Sequence, residues 1–222
     1  MEPSEIRDIL LSVFVLGFIF SFNKWDSIEA GISNFFLTIL LVGFSFLIKM
    51  IGHKYTADKY ECRHKYIIWP QGLAFSLFAT LLFNGKILFA LSGFSAMSSS
   101  YFSRLGKKYV DLSFNEKGRI ALTGPLFNIG LAVLFKMFEG LLNPEIVLDM
   151  VIINLTIAFF SLIPLPPLDG SHILSYDWTI WLMVISSTTT LLFLLRFANL
   201  LISFFVITPL VIAIFIFSQK YT

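Results

Sequence analysis

Six stretches of this 222-residue chain are apolar over about the length of a membrane span: Ile6–Phe22, Ile32–Ile51, Ile120–Leu142, Ile146–Leu165, Trp178–Leu195 and Leu200–Ser218. A helix needs about 20 predominantly apolar residues to cross the hydrocarbon of a bilayer. Only 14% of the residues are charged and 57% are hydrophobic, whereas a soluble domain carries roughly 25% charge. So few charges cannot clothe a globular surface in water, which excludes an ordinary soluble enzyme. High hydrophobicity likewise excludes intrinsic disorder. The net charge of +2 is too near neutral for a nucleic-acid binder. The expectation is an all-α polytopic membrane protein of about six transmembrane helices, forming a single membrane domain over residues 1–222.

The lone cysteine, Cys62, excludes an internal disulfide framework and a cysteine-based zinc cluster. The opening Met1-Glu2-Pro3-Ser4-Glu5 has no basic n-region, so the first apolar run reads as a retained span. Charge between the runs sets the orientation. Residues 49–65 carry Lys49, Lys54, Lys59, Arg63 and Lys65, and residues 104–119 carry Arg104, Lys107, Lys108, Lys117 and Arg119. Both segments are expected on the cytoplasmic side of a cell membrane, with both chain termini.

The stretch between them must then return to the side it left. Residues 66–101 are apolar but broken by Pro70, Gly72, Asn84-Gly85-Lys86 and Gly93, and Asn-Gly is a turn signal. A re-entrant element or a tight crossing hairpin is expected here. Irregular backbone at membrane depth must be buried in protein or line a cavity. This alternation also puts His53 and Asp169 on one side of the membrane, far apart in sequence but plausible neighbours in space.

Ionisable residues at membrane depth are costly and suggest function. His53 follows an apolar run and precedes Lys54, so it reads either as an interfacial histidine or as a site residue. Asp169 ends Ile163-Pro164-Leu165-Pro166-Pro167-Leu168-Asp169-Gly170. The prolines remove backbone donors and stiffen the bend. Its carboxylate is either turn chemistry or a buried group in need of a partner. His172 shares a helical face with Asp169 if the chain is helical there, and His64 is the only other histidine. Asn128 and Asn154 are placed to hydrogen-bond across helices. Lys136 and Glu139 pair with each other or snorkel.

Taken together, these residues resemble the site-2 intramembrane metalloprotease family over residues 32–178. The resemblance rests on Gly124-Pro125-Leu126-Phe127-Asn128 and on Ser161-Leu162-Ile163-Pro164-Leu165-Pro166-Pro167-Leu168-Asp169-Gly170, and more weakly on Phe89-Ala90-Leu91-Ser92-Gly93. It implies a site-2-protease-like core with an extra C-terminal helix pair over 178–218. It also implies substrate contacts at Asn128, Asn154 and Gly93. Active relatives bind zinc through H-E-x-x-H and the aspartate of the proline segment. Here the motif positions read Lys49-Met50-Ile51-Gly52-His53, and Ser161 replaces an asparagine. His53 and Asp169 are the remnant ligands, with His172 a possible third.

Catalytic zinc takes three protein ligands and a water, which a general base activates. An ammonium at position 49 repels a cation, and the Met50 thioether takes no proton from water. The expectation is therefore a catalytically inactive protein without a cofactor. It would bind a membrane helix or peptide as adaptor, chaperone or accessory subunit of a membrane complex, with Lys49 paired to Asp169. The alternatives are an active intramembrane zinc metalloprotease with a rearranged site completed by His172 or His64, and a small transporter or channel subunit. The expected partners are a membrane protein or transmembrane peptide and the lipid bilayer, not nucleic acid.

Overall fold

The computed structural model describes residues 2–103, 106–110 and 112–197. Its elements are α1 (Pro3–Ser21), a 3-10 turn (Phe22–Lys24), α2 (Ile28–Lys59), β1 (Cys62–Ile68), α3 (Pro70–Leu82), β2 (Gly93–Ser103), β3 (Gly106–Val110), α4 (Phe114–Met137), α5 (Pro144–Ser161), α6 (Asp169–Tyr176) and α7 (Trp178–Phe197). Helix starts are written locally. Pro3, Pro70 and Pro144 occupy first helical positions, where a missing N–H costs nothing. The Ser27 side chain caps α2, and Ser113 with Glu116 forms a reciprocal capping box on α4.

Among the described residues, α2, α4 and α5 are long and apolar enough to cross a membrane. The first expected span falls on α1, whose opening turns carry Glu5, Arg7 and Asp8, and the fifth falls on α7. The sixth, Leu200–Ser218, lies outside the described residues. The second runs on to Lys59 rather than stopping at Ile51, because nothing from Gly52 to Asp58 breaks a helix. The basic stretch after it is thus largely helical.

The all-α expectation needs correction. A three-stranded antiparallel sheet, ordered β1-β2-β3, frames the segment expected to be a hairpin or re-entrant element. β1 pairs with β2 from Cys62↔Ser99 to Ile68↔Gly93, and β2 with β3 from Ser99↔Val110 to Ser103↔Gly106. Alternation along β1 buries Cys62, His64 and Tyr66. Gly93 permits the close approach, since a Cβ there would collide with the Ile67 carbonyl and the Tyr66 hydroxyl. Between the strands, α3 runs to the turn at Asn84 and Gly85, whose φ values are +51° and +68°. The Asn23 amide donates to Gly85 O at 2.6 Å, fixing the turn beside the α1–α2 connection.

β1 is an edge strand, and α1 covers its outer side. Tyr66 N–H donates to Glu5 Oε1 at 3.2 Å and Ile68 N–H to Asp8 Oδ2 at 3.4 Å. Ser12 and Tyr66 share a hydroxyl–hydroxyl bond of 2.8 Å. Two carboxylates thus take amide protons that an added strand would otherwise receive.

α5 is the central helix. Of its apolar window 61% is buried, against 39% in α2 and 33% in α4. Ile153 and Ile157 pack with Leu16, Val42, Phe46 and Met50 on one side. Val147, Val151 and Leu155 pack with Ala132 of α4 and Leu191 of α7 on the other.

A buried lysine–histidine–aspartate cluster

Lys49 and His53 lie one turn apart on α2, so both project from one face. Asp169 opens α6 directly after the proline bend, which is pinned to the end of α5 where Trp181 Nε1 donates to Leu162 O at 2.8 Å. The two elements deliver their polar groups to one place. Lys49 Nζ lies 3.2 Å from Asp169 Oδ2, and His53 Nε2 lies 3.5 Å from the same oxygen. Lys49 also donates to Ser161 Oγ at 2.7 Å, and Ser161 donates onward to Ile157 O at 2.8 Å. Lys49 is 2% exposed, His53 0%, Asp169 1% and Ser161 7%, so water does not screen these charges.

The His53 ring orientation follows from its second nitrogen. Nδ1 sits 2.9 Å from Ile120 O; a carbonyl only accepts, so Nδ1 carries hydrogen and Nε2 is turned to Asp169. Gly124 on α4 backs directly against Nε2, where any Cβ would overlap the imidazole. The glycine of the Gly124-Pro125 pair is thus what lets α4 close over the histidine.

His64 arrives from β1 and stacks on His53, with ring centroids 4.9 Å apart and planes 10° from parallel. Its nitrogens have no hydrogen-bond partner. Burial first, and then the neighbouring His53, pushes its pKa down to about 3, so it is a neutral imidazole. Burial alone would raise the Asp169 carboxyl, but Lys49 and then His53 outweigh it and hold the group below the usual carboxylate range. Met50 is buried in the apolar core beside the cluster.

The other sequence-derived candidates are placed elsewhere. Asn154 donates to Met150 O of its own helix at 2.8 Å rather than across helices, because that acceptor is one turn away. Asn128 is fully buried with neither amide atom partnered, so it bridges to no described side chain. Gly93 serves the β1–β2 approach. His172 is half-buried on α6 and forms no ion pair or hydrogen bond with a described residue, burial lowering its pKa. Lys136 and Glu139 pair at 2.7 Å. Among the described residues, no three His, Cys, Asp or Glu side chains are grouped to hold a metal ion. The sequence reading passed over Glu5 and Asp8. Their signal was present as two acids three residues apart at the start of the first apolar run.

The fold and the cluster define a predominantly helical protein with membrane-compatible helices and a buried polar centre. The chain is 31% identical over 185 residues to a Methanocaldococcus jannaschii protein described as "Putative zinc metalloprotease MJ0611", covering 81% of this chain and 88% of that one. It belongs to the metalloprotease-like family of that protein. No family model matches the chain, and no solved structure does.

Proposed function

We propose that the chain is a catalytically inactive, site-2-protease-like protein of the cell membrane, multi-pass with both termini cytoplasmic. In this reading it captures a membrane helix or peptide as adaptor, chaperone or accessory subunit. The observation that carries the reading is the ion pair of Lys49 and Asp169. Zinc hydrolysis needs three ligands and a base. His53 and Asp169 are two donors, and an ammonium lies against the second of them. These residues do not fit a catalytic zinc ion. Nor does Lys49 supply a base for Ser161, since an ammonium that donates to the hydroxyl has no lone pair to accept its proton.

A second reading, an active zinc protease with a rearranged site, is favoured by the relative's name and by one observation. His53 Nε2, both His64 nitrogens and Asp169 Oδ1 are buried without hydrogen-bond partners, and such atoms are the kind a metal would satisfy. Metal analysis of the purified protein separates the readings. The inactive reading expects less than a tenth of an equivalent of zinc in the wild type. It also expects a clear gain when Lys49→His and Met50→Glu are combined. One equivalent of wild-type zinc, lost in both His53→Ala and Asp169→Ala, would establish the second reading instead.

A further inference from the structure

Among the described residues, one flank of α5 is left uncovered by the packing. A cleft of about 550 Å³ lies between α7, represented by Leu192, and the segment that follows the Asn84-Gly85 turn. Its floor runs along α5 from Val151 to Phe160, a rise of about 13 Å. The volume is within the range of ligand pockets, roughly 300–1,000 Å³. Its apolar lining along α5 suits extended hydrocarbon chains laid lengthwise.

Two polar groups stand in this apolar trough. Lys86 lies at the end beside Asn23, exposed, and its ammonium has no ion pair or hydrogen bond to a described residue. Thr156, 4% exposed, lines the cleft midway, and its hydroxyl has no described partner either. We propose that the cleft is a binding site for an anionic glycerophospholipid. The headgroup phosphate rests on the Lys86 ammonium, and the acyl chains lie along Leu155 and Phe160. The Thr156 hydroxyl donates to an ester carbonyl. This site is separate from the Lys49 cluster and holds whether or not that cluster binds metal.

The test is thermal unfolding of the full-length protein in detergent, titrated with phosphatidylglycerol or phosphatidylcholine. At a hundredfold excess over its dissociation constant, phosphatidylglycerol should raise Tm by about 5–10 °C, and phosphatidylcholine by less than half of that. Lys86→Ala should lose at least half of the shift, and Ile152→Trp, which fills the trough, nearly all of it. Lys59→Ala, a lysine at the far end of α2, should keep the shift. Equal shifts from both lipids overturn the proposal. So does a phosphatidylglycerol shift that survives in both cleft variants, or one lost equally in Lys59→Ala.

Discussion

At position 49 one side chain decides what the buried centre is. A histidine there would complete a set of donors, but the lysine turns the same space into an ion pair with Asp169. Breaking a buried pair strands the remaining charge, which costs about 3–5 kcal/mol. Asp169→Asn should therefore lower unfolding stability by that amount in chemical denaturation. Adding Lys49→Met to the same chain should recover most of the loss, because the stranded ammonium is then gone. Much of this cluster was legible in the sequence. Helical spacing put Lys49 and His53 on one face, and the alternation of apolar runs put Asp169 at the same end. The stacking of His64 on His53 was not legible, since it depends on a strand pairing that no local pattern around His64 discloses.

At the scale of elements, the sheet and the cap of α4 are the informative cases. The Glu116 carboxylate accepts from the Ser113 backbone N–H and hydroxyl, and these bonds lower its pKa below 4.5. The unfolded chain therefore binds this proton more readily than the folded one. The cap stabilises above about pH 4.5 and fades as pH falls through the lowered value. Ser113→Ala should cost about 1 kcal/mol at neutral pH. Melting curves of Glu116→Gln and wild type should differ at pH 7 and converge in acid. On β1, the Tyr66 and Ile68 amides should exchange about tenfold faster in the combined Glu5→Ala and Asp8→Ala variant, measured residue by residue. Sequence reasoning located the Asn84-Gly85 turn but not the strands around it. Along Cys62–Ile68 the alternation is short, its outward Arg63 and Lys65 read as loop charges, and the polar groups of β1 and β2, His64 and Ser95, are buried.

For the molecule as a whole, six apolar runs read as spans, and among the described residues three helices are long and apolar enough to cross a membrane; Pro144–Ser161 emerges as the helix around which the others are arranged. The burial of α5 on most of its circumference was not readable from its composition, because a lipid-facing helix and a core helix in such a protein are equally apolar. What distinguishes them is contact with neighbours, a property of the assembled chain.

The length of α2 has one more consequence. Its 32 residues make a straight rod of about 48 Å, while the hydrocarbon layer measures about 30 Å. Lys49 and His53 ride on the last three turns of that rod. A helix that long, laid across a bilayer, exceeds the hydrocarbon by about 18 Å, so it must tilt or carry the turns that bear the pair out toward the headgroups.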